Sequence, residues 1–176
     1  MENYFEFYDL PASITVDQEE LRRKYLAVSR ATHPDYHRLT APEMQAEAEK
    51  RSSLNNKAYT VLKDDYARLT HWFQVMGLLS ETGENLIDVQ LSPAFLGEMM
   101  DYNERIEEAS FANNPAEREQ LLNELQPMIR QKEADLYQAA TFSEGKDLDT
   151  QKKALKLYLE HKYLLRIREN LRNIAS

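Results

Sequence analysis

Pro34 interrupts a run of helix-forming residues, and this interruption limits what the first half of the chain can fold into. The run begins at Asp17, where an Asp cap is followed by Glu19 and Glu20, whose charges suit the positive end of a helix dipole. Pro34 disfavours helical geometry at His33 and cannot donate a backbone hydrogen bond. The helix is therefore predicted to end at about Thr32 or His33, which places His33-Pro34-Asp35 on an exposed corner.

A second helix should follow the corner closely. Thr40-Ala41-Pro42-Glu43 has the pattern of a capping box and opens a helical stretch that runs to about Asp64. Its candidate core positions are Met44, Ala48, Leu54, Ala58 and Leu62. Because the connection is short, the two helices are predicted to lie antiparallel, and a shorter helix over about 66–76 should end at Gly77.

The second half of the chain has its own helix signals. Ser92-Pro93 and Asn114-Pro115 each pair a capping residue with a proline at the first helical position, and a third helix should begin within 147–150. Helices of about 92–110, 115–141 and 149–174 predict an antiparallel three-helix bundle. The chain is therefore predicted to be all-α, with an N-terminal domain at 1–76, a linker at 77–90 and a C-terminal domain at 91–176.

Composition excludes several classes of function. The chain has no cysteine, so it holds neither disulfides nor thiolate-bound zinc or iron–sulfur clusters, and its four glycines disfavour a glycine-rich phosphate loop. A net charge of −8 argues against general binding to nucleic acid. The apolar runs are short, so we expect no membrane span or signal peptide and a cytoplasmic location.

The titratable residues do not form a catalytic or metal-binding pattern. His37, His71 and His161 lack metal-ligand spacing, and Asp64-Asp65 reads as a helix boundary. No paired carboxylates and no nucleophile–base motif stand out. We expect no catalytic residue, no metal and no cofactor.

After its acidic first turn, the helix before the corner carries basic residues and no further acidic ones. The stretch "LRRKYLAVSRATHP" contains Arg22, Arg23, Lys24 and Arg30. Leu21, Tyr25, Val28 and Thr32 fall on the opposite, inward face. The basic residues are predicted to face solvent.

The order of these features resembles the J-domain, the module that activates heat-shock chaperones of the DnaK type. A basic helix, His33-Pro34-Asp35 and a second helix ending in "NKAYTVLKDDYAR" follow one another as in that family. The resemblance implies that the chaperone is bound by His33, Pro34, Asp35, Arg22, Arg23, Lys24 and Arg30. Tyr36 departs from the Lys or Arg that often follows the Asp in the family.

Nearly the whole chain resembles one subgroup, the HscB-type J-domain co-chaperones of iron–sulfur cluster assembly. The similarity runs from "NYFEFYDLPASITVDQEELRRKYLAVSRATHPD" through the linker to "FLGEMMDYNERIEEA". Asp65, Gly97 and Asn103 stand where the family more often has proline, methionine and arginine.

The helix at 92–110 has more apolar surface than one stripe requires. Phe95, Met99, Tyr102 and Ile106 form a regular core-facing set, whereas Leu96 and Met100 form a second stripe. Periodicity alone leaves two interpretations open: a broad buried face in a bundle, or a binding surface with an acidic rim. The resemblance implies that an IscU-type scaffold protein is bound by Leu96, Met100, Asp101, Glu104 and Tyr158.

Two functional hypotheses follow. The first is a non-enzymatic adaptor that stimulates the ATPase of a DnaK- or HscA-type chaperone and delivers an IscU-type scaffold to it. The second is a J-like interaction or structural protein that no longer activates a chaperone, or one that serves a different client.

Overall fold

The computed structural model describes residues 2–33, 35 and 41–173. Its regular secondary structure in these residues is helical, apart from one isolated bridge between Leu79 and Asn85. The chain divides into two compact units, residues 1–87 and residues 88–176. The prediction of an all-α protein is confirmed.

The first unit contains four of the described helices. They are α1 (Tyr4–Phe7), α2 (Gln18–Ala31), α3 (Pro42–Lys63) and α4 (Asp65–Val75). Asp17 caps α2 as predicted, since its carboxylate accepts hydrogen bonds from the backbone N–H groups of Glu19 and Glu20 at 2.9 and 3.1 Å. The helix ends at Ala31, whereas Pro34 lies outside the described residues.

The start of α3 differs from its prediction. Ala41 occupies the N-cap position without a side-chain hydrogen bond, and Thr40 lies outside the described residues. The predicted core position Met44 is 53% exposed, so that prediction is wrong. Asn55 hydrogen-bonds Tyr25 and Ser29 across the hairpin, so residue 55 of α3 lies opposite the middle of this pair. Because the helices are antiparallel, the end of α2 lies opposite α3 near residue 51, and the earlier part of α3 extends beyond it. Met44 points the same way as Asn55, but it lies beyond the end of α2, and no other described helix packs against it there.

Part of the predicted linker packs within the first unit. Gly77 closes α4 with φ of +72°, while the N–H of Leu78 donates to the carbonyl of Phe73 at 2.9 Å. Leu78 and Leu79 are both 1% exposed. Gln74 donates a hydrogen bond to the carbonyl of Ser80 at 3.1 Å. The chain therefore stays attached to α4 well past Gly77.

The second unit is built from three long helices, as the capping pattern predicted. They are α5 (Pro93–Phe111), α6 (Pro115–Ser143) and α7 (Leu148–Asn173). Ser92, Asn114 and Asp147 each accept a hydrogen bond from a backbone N–H three residues later, at 3.2, 3.2 and 2.9 Å. Buried residues from all three helices form one core: Phe95, Met99, Ile106, Ala109, Leu121, Leu125, Ile129, Leu164, Ile167 and Leu171.

Candidate functional site

The corner after α2 presents two polar side chains to solvent. The side chains of His33 and Asp35 are 55% and 73% exposed. The backbone N–H of Asp35 donates to His33 Nδ1 at 3.3 Å, which leaves the proton of the neutral imidazole on Nε2. His33 Nδ1 also lies 3.6 Å from Asp35 Oδ2, close enough for an ion pair when the imidazole is protonated. Most of the carboxylate surface remains available to another molecule.

Three arginines are exposed along α2, the helix that leads to this corner, whereas Lys24 is turned toward its own chain. The exposed arginines are Arg22, Arg23 and Arg30. The side chain of Lys24 is 24% exposed and donates a hydrogen bond to the carbonyl oxygen of Asp9 at 3.1 Å. The positive charge that α2 offers to solvent is therefore carried by guanidinium groups.

A buried asparagine holds α2 against α3. Asn55 is 1% exposed, and its Nδ2 donates to the carbonyl of Tyr25 at 3.1 Å and to Ser29 Oγ at 2.9 Å. The hydroxyl of Tyr8 donates to Asn55 Oδ1 at 2.7 Å, and burial raises the pKa of that hydroxyl. Rings of Tyr25 and Tyr59 stack with centroids 4.3 Å apart. These contacts fix the helix that carries the arginines.

The carboxylates at the start of α4 have structural roles. Asp64 caps the helix by accepting from the N–H of Ala67 at 2.8 Å. Asp65 pairs with Arg68, a buried arginine whose guanidinium also donates to the carbonyl oxygens of Ile14 and Leu62, both at 2.7 Å. The prediction of a helix boundary at this acidic pair is confirmed, and the substitution at Asp65 supports this local structure.

The histidines inside the structure are packing residues. His71 is buried, accepts a hydrogen bond from the N–H of Tyr4 at 3.1 Å and stacks on that ring at 4.5 Å. Burial lowers the pKa of both His71 and His161. His37 lies outside the described residues. Within the described part of the chain, no group of three or more His, Asp or Glu residues could hold a metal ion.

The second stripe of α5 lies on the surface. Leu96 is 40% exposed and Met100 is 62% exposed, whereas Phe95 and Met99 on the neighbouring face are buried at 8% and 0%. Asp101 and Glu104 are exposed beside the stripe, so among the described residues the alternative of a broad buried face is not realised. We call Leu96, Met100, Asp101 and Glu104 the α5 surface.

Ion pairs hold the opposite flank of α5 against α6. Arg105 donates to Glu124 at 2.8 Å and to Glu117 at 3.0 Å. The hydrogen bond from Arg105 lowers the pKa of Glu124 to about 2. Tyr102, which was predicted to face the core, packs against the edge of that core, is half-buried and donates a hydrogen bond to Met128 Sδ at 3.4 Å. The α5 surface is consequently held in a fixed orientation on its own unit.

Tyr163 is an aromatic residue of α7 that contacts α5. Tyr158, predicted to belong to the binding surface, is 3% exposed, so its burial contradicts a place on that surface. Tyr163 is half-buried and meets the ring of Phe95 edge-to-face, with centroids 6.0 Å apart. The guanidinium of Arg166 lies 5.3 Å from the centre of the Tyr163 ring.

Comparison with known proteins agrees with this architecture. The family model described as the HSCB C-terminal oligomerisation domain matches residues 91–172. The solved structure of chaperone HscB from Vibrio cholerae aligns with a TM-score of 0.68 at 22% identity, covering 99% of this chain and 98% of its own. Human co-chaperone protein HscB also gives 0.68, at 21% identity, covering 98% of this chain and 81% of its own. Both similarities establish the fold.

Sequence similarity to curated proteins establishes the family. The co-chaperone protein HscB homolog of Burkholderia thailandensis is 33% identical over 135 residues, which covers 77% of this chain and 75% of the relative. The corresponding homolog of Paraburkholderia phytofirmans is 31% identical over 124 residues, covering 70% and 69%. No described helix has the length and apolar character needed to cross a membrane. The chain belongs to the HscB family of co-chaperones.

Proposed function

We propose that this protein is an adaptor that stimulates the ATPase of a DnaK- or HscA-type heat-shock chaperone and brings an IscU-type iron–sulfur scaffold protein to it. The observation that carries the proposal is the exposed Asp35 carboxylate at the end of an arginine-bearing helix. Both the family and the corner support this activity. The adaptor works in the cytoplasm and requires no cofactor, nucleic acid or membrane.

The corner acts by binding and not by chemistry. The Asp35 carboxylate accepts hydrogen bonds from a cationic side chain of the chaperone, and an arginine would bind it in a bidentate manner. Arg22, Arg23 and Arg30 attract an acidic surface and set the register of docking. Pro34 lies outside the described residues, so its role in ending α2 before the corner stays a prediction. ATP hydrolysis takes place in the partner, so the adaptor itself is not an enzyme.

The scaffold is bound by the α5 surface in the second unit. Leu96 and Met100 supply an apolar centre, and the carboxylates of Asp101 and Glu104 supply an acidic rim. This arrangement suits a partner with an apolar contact bordered by basic residues. Tyr163 takes the place of Tyr158 as the aromatic contribution from α7, because it packs against α5 through Phe95.

The proposal is tested by measuring chaperone ATPase rates with wild-type protein and with Asp35→Asn. Asparagine keeps the side-chain shape but removes the charge, so stimulation should be lost while the helical circular-dichroism spectrum and scaffold binding remain. Asp101→Asn is the matched control, since this exposed aspartate lies in the other unit, and it should leave stimulation without scaffold unchanged. Equal stimulation by Asp35→Asn and wild type would refute the assignment of the corner.

Tyr36 favours a second candidate, an interaction protein that has lost chaperone activation, because the family often has a basic residue there. In that case wild-type protein would leave the ATPase rate of every DnaK- or HscA-type chaperone unchanged. A J-domain protein with a different client would instead stimulate the ATPase but bind no IscU-type scaffold. Measurements of ATPase stimulation and of scaffold binding therefore distinguish the adaptor, the protein without chaperone activation and the J-domain protein with a different client.

A further inference from the structure

The arginine-bearing face of α2 contains one large apolar side chain. Leu26 is 40% exposed and lies four residues from both Arg22 and Arg30. Residues four apart on a helix are neighbours, so these three side chains form one ridge, with Arg23 beside it. The ridge leads to the corner, since the carbonyl of Arg30 accepts a hydrogen bond from the N–H of His33 at 3.3 Å.

The core of the first unit does not require Leu26 to be apolar. The inward face of α2 is formed by Leu21 and Thr32, both buried, together with the half-buried Tyr25 and Val28. A single exposed leucine is common on protein surfaces and would carry nothing alone. Leu26 differs because arginines flank it on the same ridge and because that ridge adjoins the corner proposed to bind the chaperone.

The surrounding guanidinium groups remain available to a partner. Arg22 and Arg30 make no ion pair with another described residue, and Arg23 only approaches Glu20 at 3.7 Å with its side chain 77% exposed. An apolar residue flanked by arginines has the composition typical of a binding hot spot in a protein interface. The chemistry that complements it is an apolar contact surrounded by carboxylates.

We propose that Leu26 is the apolar anchor of the chaperone-binding surface, and that the chaperone meets it with an apolar patch inside an acidic rim. This inference rests on the proposed function and deepens it. The arginines supply long-range attraction, which salt screens, whereas burial of Leu26 supplies affinity that persists at high salt. The two contributions can therefore be separated by ionic strength.

The test measures the adaptor concentration that gives half-maximal ATPase stimulation, at about 0.05 M and about 0.5 M salt. Leu26→Ser should raise this concentration by roughly tenfold at both salt concentrations. Arg30→Gln should raise it more at low salt than at high salt, because its effect is electrostatic. Leu26→Met keeps an apolar contact and should remain near wild type.

Leu148→Ser is the matched control, because Leu148 is 48% exposed but lies on α7 in the other unit, and it should behave as wild type. A Leu26→Ser value within twofold of wild type would overturn the inference, as would an effect that disappears at high salt. If Asp35→Asn abolishes stimulation while Leu26→Ser has no effect, only the anchor is wrong. If wild type gives no stimulation, the proposed function and the anchor are both wrong.

Discussion

Met99 and Met100 are adjacent in sequence but should respond to alanine substitution in opposite ways. Met99 is completely buried in the core of the second unit, whereas Met100 is 62% exposed on the α5 surface. Removing a buried methionine leaves a cavity, so Met99→Ala should lower the free energy of unfolding by about 2–5 kcal/mol. Met100→Ala leaves no cavity and should change stability by less than about 0.5 kcal/mol.

At the exposed position, Met100, alanine substitution should weaken scaffold binding although it leaves stability nearly unchanged. Full burial of a methionine or leucine side chain contributes about 1.5–3 kcal/mol, and Met100 has more than half of its surface left to bury. Met100→Ala should therefore weaken scaffold binding by about 1–2 kcal/mol, or about 5- to 30-fold in Kd. Leu96→Ala should have a smaller effect, because its side chain is less exposed.

Urea unfolding gives the stability of each variant, and isothermal titration calorimetry gives its affinity for an IscU-type scaffold protein. Chaperone ATPase stimulation without scaffold serves as the control, since the proposal gives the α5 surface no part in it. Unchanged affinity in both Met100→Ala and Leu96→Ala would refute the assignment of the α5 surface. A large loss of stability in Met100→Ala would refute the reasoning from exposure.

Three further results are expected. Asn55→Ala leaves buried partners in α1 and α2 without their hydrogen bonds and should destabilise the protein by about 2–4 kcal/mol in urea unfolding, whereas a loss below about 1 kcal/mol would contradict the network. Arg105→Met should raise the pKa of Glu124 from about 2, which NMR titration would follow. The low pKa of Glu124 in the folded wild type adds stability at neutral pH, so the variant should be less stable there, and its difference in stability from wild type should shrink as pH falls from 4.5 to 2. His71 and His161 have lowered pKa values in the folded state, so stability should fall as pH drops below 6.5, and His161→Gln should reduce that slope in urea titrations.

The starts of α2, α5, α6 and α7 could be predicted from sequence because capping is a local interaction. Asp17, Ser92, Asn114 and Asp147 each bond a backbone N–H no more than three residues away, so the pattern lies within one short window. The end of α4 at Gly77 could be predicted for the same reason, because the residue that closes the helix needs only a positive φ, which glycine adopts readily.

The interactions that fix the surfaces could not be predicted because their partners are distant in sequence. Asn55 bonds groups 26 to 47 residues away, and Arg68 reaches a carbonyl 54 residues away. Nothing in the neighbourhood of either residue indicates those partners. Both appeared in sequence as ordinary polar positions on helices.

Helical periodicity identifies a face of a helix but not what lies opposite it. Met44 shares a face with Asn55, yet it is exposed because α3 extends past the end of α2. The same limitation left the stripe of Leu96 and Met100 open between core and surface. Tyr158 was instead assigned from the family resemblance, and it is buried. Which positions are buried depends on the lengths and registers of the neighbouring helices.

The central claim is that one molecule binds the chaperone with its first unit and the scaffold with its second. The most direct measurement is the increase in chaperone ATPase rate on adding a subsaturating concentration of scaffold, with wild type, with Asp35→Asn, with Met100→Ala, and with the two variants mixed. An adaptor needs both surfaces on the same chain, so the mixture should lack the scaffold-dependent increase seen with wild type. A mixture that restores the full wild-type increase would contradict delivery by a single adaptor molecule.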